Sequence, residues 1–139
     1  MTSPADRSTA NGGGTFDIVL TPVPHTAAPH DSRGRMTFTK TFQGALQGRS
    51  DGEMLTAGQP ARGSAGYVAM ERFEGTLDGR RGSFVMQHSG TMDSGADALA
   101  IVIAPGSGTG ELAGIGGTAT IDVRDGQHHY TLHYTLPAR

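Results

Sequence analysis

Residues 65–92 read AGYVAMERFEGTLDGRRGSFVMQHSGTM, and this stretch decides the fold. At its centre stands Asp78-Gly79, flanked on both sides by alternating runs. Both residues of a two-residue hairpin turn must tolerate positive φ, and aspartate-glycine does so readily. Two long antiparallel strands are therefore predicted. Positions equidistant from the turn face each other, which sets Glu71 opposite Met86 and Phe73 opposite Phe84. Tyr67, Glu71 and Phe73 then share a face with Phe84, Met86, His88 and Gly90. That face carries the larger apolar groups and is the expected interior. Arg72, Glu74 and Gln87 fall outside, where charge is ordinary.

Outward from this hairpin the chain continues in the same idiom. Thr15–Thr21 alternates as a strand, and Pro22–Gly34, which contains His25 and His30, reads as a loop. A long strand is predicted over Arg35–Gln47, with Met36, Phe38, Lys40, Phe42 and Leu46 on one face and threonine or glutamine on the other. Lys40 is the single charged interruption of that apolar face. A turn is expected at Ser50-Asp51-Gly52, then a short strand over Glu53–Ala57 that Gln59-Pro60 ends. Ala98–Ala104 is an apolar run with Leu99, Ile101 and Ile103 on one side and Val102 on the other. If the first set fills the interior, Val102 lies outside, where a second subunit would cover it; a homo-oligomer is expected on that ground. Pro105–Gly117 is a glycine-rich connection with one helical turn at Gly110–Ala113. Thr118–Val123 and His128–Leu136 form a last hairpin across Asp125-Gly126. Met1–Gly14 is small and polar and reads as a disordered tail.

These segments make about eight strands joined mainly by tight turns. The fold class is all-β, a single eight-stranded antiparallel barrel over residues 15–137 behind a tail over residues 1–14. A barrel is preferred to a sandwich because long strands with glycines at 44, 48, 66, 75 and 90 suit bending and closure without edges.

Composition narrows function. The chain has 139 residues, 22 glycines, no cysteine and a formal charge of −2. Nucleic acid is not an expected partner, because phosphate recognition needs a concentrated basic patch. Without cysteine there is no thiolate nucleophile and no sulfur metal site. No window approaches the length of a membrane helix, and the N-terminus lacks the apolar segment of a secretory signal. A cytoplasmic protein without membrane association is expected.

The strings GEMLTAG (52–58), GSAGYVAMERFEGTLDGRRGSFVMQHSGTM (63–92), SGTGELAGIGGTATI (107–121) and YTLHYTLP (130–137) carry a resemblance. They resemble an uncharacterised bacterial family whose domain adopts an allene oxide cyclase-like barrel. The resemblance spans Thr15–Pro137. It implies an eight-stranded antiparallel barrel and no agreed activity. More distant relatives of that barrel cyclise or isomerise small hydrophobic molecules, which is a fold analogy and no more.

Three local patterns mimic catalytic motifs. Gly48-Arg49-Ser50-Asp51-Gly52 matches G-x-S-x-G, but a nucleophile elbow needs a helix after the serine and strands are expected on both sides. Pro105–Gly110 resembles a phosphate-cradling loop but lacks the lysine and the helix that such loops need. His129 and His133 share a strand face about 13 Å apart at strand rise, too far to share one ion, and no metal is expected.

The remaining set is Glu71, His88 and Lys40, an acid and two bases on apolar inner faces. They are the candidate acid–base group, with Tyr67, Phe73, Phe84, Met86, Phe38 and Phe42 as candidate walls of a ligand site. A small, largely apolar molecule in the interior is expected, held without a cofactor. Three functions fit: a cofactor-independent cyclase or isomerase, a carrier or sensor, or a packed barrel in which Glu71 is part of a structural ion pair. The interior discriminates among them. A cavity of a few hundred Å³ lined by Glu71 and His88 favours a ligand there; a filled interior with Lys40 bonded to Glu71 favours the packed barrel.

Overall fold

Side-chain alternation separates an inner from an outer face in strand after strand of this chain. The computed structural model describes residues 7–25, 31–94 and 96–138. Its strands are β1 (Arg7–Val23), β2 (Gly34–Gly44), β3 (Leu46–Gln59), β4 (Ser64–Leu77), β5 (Arg80–Asp93), β6 (Ala96–Ile103), β7 (Thr109–Gly110), β8 (Gly116–Arg124) and β9 (Gln127–Pro137). Eight of them, β1 to β6 with β8 and β9, pair antiparallel in a ring, and β9 returns to β1 to close it. The two-residue β7 only flanks β5. The protein is an all-β, closed, eight-stranded antiparallel barrel.

The two hairpins fall where the turn chemistry puts them. Asp78 and Gly79 take φ of 49° and 84°, and Asp125 and Gly126 take 53° and 76°. Glu71 pairs with Met86 and Phe73 with Phe84, the expected register. Val102 faces outward and is 45% exposed, while Ile101 and Ile103 are buried.

Four expectations need correction. The expected tail is largely strand: β1 starts at Arg7, and Arg7–Gly14 pairs with Tyr130–Pro137 of β9. The glycines at the end of this stretch are crowded. A Cβ on Gly14 would sit 2.0 Å from the Gln43 carbonyl oxygen and 2.8 Å from the Tyr130 hydroxyl. Residues 1–6 of that tail, like His30, lie outside the described residues. Next, no turn occurs at Ser50-Asp51-Gly52, which lies within β3. The chain reverses earlier, at Ala45. There the Tyr130 hydroxyl accepts from the Leu46 amide (2.8 Å) and donates to the Gln43 carbonyl (3.0 Å). A side chain from the far end of the sequence thus fixes this corner, and it outweighs the local turn signal. The strand predicted over Arg35–Gln47 accordingly ends at Gly44. Finally, Leu99 does not fill the interior with Ile101 and Ile103; it is 43% exposed at the barrel's end.

The two ends of the barrel differ. Around Asp78 and Ala45 the end is shut. The Asp78 amide donates to the Ala45 carbonyl, and the Tyr134 hydroxyl donates to the Asp78 carboxylate. Burial, reinforced by that carboxylate, pushes the Tyr134 hydroxyl up to about 12. The segment after β6 completes the plug with Leu112 and Ile115, both buried. Its Ser107 side chain is bonded to the Val85 amide and the Ala104 carbonyl, so the glycine-rich loop is occupied with its own backbone. Beneath the plug pack Phe42, Leu46, Phe73, Leu77, Phe84 and Leu132. Phe73 meets Phe42 edge-on at 5.5 Å and lies tilted against Phe84 at 5.4 Å. The opposite end carries no such plug among the described residues.

Candidate functional site: a buried polar cluster beneath an apolar open end

The three ionisable side chains expected on the inner faces lie together. Glu71 on β4, His88 on β5 and Lys40 on β2 all face inward and are all buried. Antiparallel register brings them together: Glu71 is a diagonal neighbour of His88 across the β4–β5 ladder, and Lys40 lies two strands away opposite Ser50. The Lys40 ammonium donates to Glu71 Oε1 at 3.0 Å, and His88 Nε2 lies 2.8 Å from the same oxygen. Since an ionised carboxylate only accepts, His88 donates from Nε2. Ser50 Oγ donates to the other oxygen, Oε2, at 2.5 Å. The ammonium also lies 4.4 Å from the centroid of the Phe16 ring and 5.4 Å from that of Phe38, within cation–π range.

Two opposing effects act on the Glu71 carboxyl. Burial pushes it up; the His88 hydrogen bond, the Lys40 charge and the Ser50 hydrogen bond pull it down and prevail. Glu71 is therefore ionised, held below the usual carboxylate range. Among the described residues no buried side-chain polar atom lacks a partner.

Ser50 was hidden in the sequence. The glycines around it read as a turn, yet Leu46, Gly48, Ser50, Gly52 and Met54 alternate in phase with the interior of β3. That period-two phase was the available signal.

The space around this cluster is nearly filled. The void bordered by Lys40, Glu71, His88, Phe16 and Phe42 has a volume of ≈ 10 Å³. That is about one water molecule. Larger space lies nearer the open end. A cavity of ≈ 410 Å³ is lined there by Met36, Met54, Tyr67, Met92 and Leu99, with Ala65 and Gly90 in its wall. These residues form a belt in register: Met36 opposite Met54, Thr56 opposite Tyr67, Tyr67 opposite Gly90, and Gly90 opposite Leu99. A Cβ on Gly90 would lie 2.4 Å from Tyr67 Cε1. The missing side chain lets the tyrosine ring lie against β5. Burial, and then the charge of Glu71, push the Tyr67 hydroxyl up.

Of the apolar residues expected as ligand walls, Tyr67 lines this cavity. Phe42, Phe73, Phe84 and Met86 are packed deeper in the core, and Phe38 is buried beside Lys40. Alternation tells which side chains face inward and not how deep along the axis they sit, which is why Met36, Met54, Met92 and Leu99 were missed. A second recess, ≈ 670 Å³, lies across the outer wall of β3, β4 and β5 between Asp51, Glu53, Leu55, Val68, Met70 and Arg72.

The histidines of β9 have separate surroundings. His128 stacks on Phe16 at 4.9 Å, and His133 bonds the Asn11 side chain at 2.6 Å. Among the described residues no group of three or more histidine or acidic side chains has the arrangement of a metal site. No helix among them is long and apolar enough to cross a membrane.

A closed eight-stranded barrel with one plugged end and one apolar open end is the class that fold and site define. Residues 12–134 match a family described as "Protein of unknown function (DUF3224)", and the chain belongs to that family. A crystal structure at 1.84 Å of a DUF3224 protein of unknown function from Shewanella oneidensis MR-1 is similar throughout. It shares 45% sequence identity with this chain at a TM-score of 0.86, over 91% of this chain and 96% of that one. No curated protein matches the chain.

Proposed function

We propose that this barrel binds a small, largely apolar molecule at its open end. The carrying observation is the ≈ 410 Å³ cavity walled by Met36, Met54, Tyr67, Met92 and Leu99. Small-molecule sites are concave and mostly apolar with a few polar groups, and they occur in the mouths of barrels. Methionine walls adapt to irregular shapes, because the side chain is unbranched and its sulfur polarisable.

A carrier or sensor suits this geometry better than a cyclase or isomerase. The enzyme reading needs substrate within reach of Glu71, His88 or Lys40, and the void beside them holds about one water. In the binding reading the cluster is the floor of the barrel. It fixes strand register and keeps solvent from passing below the cavity. The likeness to the allene oxide cyclase barrel belongs to this reading as analogy and assigns no residue a catalytic role.

Self-association belongs to the proposal through the outer wall. Leu55, Val68 and Met70 are exposed there on the adjacent strands β3 and β4, and Val102 is exposed on β6, beyond β5. Arg72 and Asp51 beside them are cross-strand neighbours of opposite charge, so a two-fold axis passing between them would set each against its opposite on a second copy.

A titration with Nile red, an uncharged dye that brightens in apolar surroundings, tests the binding reading. Saturable binding to the native protein is expected. It should weaken about tenfold or more in Ala65→Phe, which fills the cavity, and in Leu99→Gln, which removes an apolar wall. Equal binding by both variants would place the dye elsewhere and end the reading.

A further inference from the structure

We infer that the open-end cavity selects lipophilic amines over lipophilic carboxylates, with Asp97 as the selecting group. This rests on the binding reading above and adds the chemical class of the ligand. The inference starts from the walls. Methionine, leucine, alanine, glycine, threonine, proline and tyrosine make up nearly all of them, and Asp97 is the single carboxylate among the described lining residues. Among the described residues no lysine, arginine or histidine lines the cavity. Asp97 is exposed at the start of β6, where it pairs with Met92, itself a wall residue. Among the described residues no ion pair claims its carboxylate, whereas Asp31, Glu53, Glu71, Glu74 and Asp122 each have a cationic neighbour.

The deeper charges do not reverse this preference. Glu71 and Lys40 compensate each other below the cavity at 3.0 Å. What remains is an apolar chamber with the Asp97 carboxylate at its rim and a tyrosine ring in its wall. An alkyl or aryl body would take the chamber, and an ammonium head would meet Asp97 and the π-face of Tyr67. A carboxylate head would meet a like charge with no cation among the described lining residues to offset it; Arg62, exposed on the turn that Pro60 begins, stands outside that lining.

A matched ligand series tests this by calorimetry at neutral pH: decylamine, decanol and decanoate. These share one apolar tail and differ in head charge. Decylamine is expected to bind about tenfold or more tighter than decanoate, with decanol between. In Asp97→Asn the amine should fall to the level of decanol, and in Asp97→Lys the order of amine and acid should invert. Equal binding of amine and acid by the native protein, or an unchanged order in both variants, would overturn the selection while leaving the cavity as a site. Failure of all three ligands to bind, or binding unaffected by Ala65→Phe, would overturn the cavity reading and this inference with it.

Discussion

Glu71 has the most to lose at the scale of single side chains. Its carboxylate is fully buried and accepts from Lys40, His88 and Ser50 at once. Removing one partner of a buried pair leaves the other charge uncompensated, which costs about 3–5 kcal/mol. Glu71→Gln is therefore expected to lower the melting temperature by many degrees, and Lys40→Met in the same chain should recover part of the loss. A melt unchanged by Glu71→Gln would instead return the carboxylate to the list of functional groups. The same residue sets an acid limit. Its folded pKa lies below the unfolded value of 4.5, so its stabilisation is complete above about that pH and is lost as pH falls through the depressed folded value. Thermal melts stepped downward from pH 5 should show a decline in the native protein. The part due to Glu71 should be absent in Glu71→Gln.

At the scale of elements, the β4–β5 hairpin allows two separable tests. A side chain on Gly79 would meet nothing within 4 Å, and its φ is +84°. Gly79→Val should thus cost about 1 kcal/mol or more through the backbone alone. Gly90 differs, since the atoms nearest its absent Cβ are all in the Tyr67 ring. Gly90→Ala is expected to cost about 1–3 kcal/mol as overpacking, and much less in a Tyr67→Ala background. Additive denaturation energies in that cycle would show that the ring does not rest on Gly90. These two glycines also mark what the sequence could reveal. Asp78-Gly79 is local turn chemistry, and from it came the register, the inner face and the grouping of Glu71 with His88, while Lys40 was legible as the charged break in the apolar face of its own strand. The Ala45 corner was illegible because residues far along the chain hold it: Tyr130 through its hydroxyl, and Gly13 and Asp78 through the backbone of Ala45. The start of β1 was illegible for a related reason: RSTANGGG has the composition of a tail, and the crowding of Gln43 and Tyr130 around Gly14 is seen only in the fold. Ser50 vanished with the false turn. Cavity depth was beyond the pattern altogether.

For the whole molecule, the pairing of β1 with β9 is the closure. Deleting residues 7–14 would strip β9 of its partner from Tyr130 to Pro137. An exposed strand edge templates association, so this truncation is expected to aggregate or to lose its cooperative melt. A truncated chain that stays monodisperse with a native melt would contradict the seam. The outer wall has its own test. Sedimentation equilibrium at high micromolar concentration should give a mass above the 14.4 kDa of one chain, and Met70→Lys should return it to that value. A native protein that sediments at the single-chain mass would remove the self-association proposal.

The grip of the Tyr130 hydroxyl on the Ala45 corner has a consequence in time. Leu46 and Tyr130 are separated by 84 positions, and the corner's outer carbonyl and amide have that one hydroxyl as a shared partner. Loop-closure entropy delays such contacts, so topologies dominated by them fold in about milliseconds to seconds. During synthesis, the corner between β2 and β3 would wait for the last strand to leave the ribosome. Until then β2 and β3 would be a loose ribbon, and the hairpin at Asp78-Gly79, whose contacts are local, would be the part already standing.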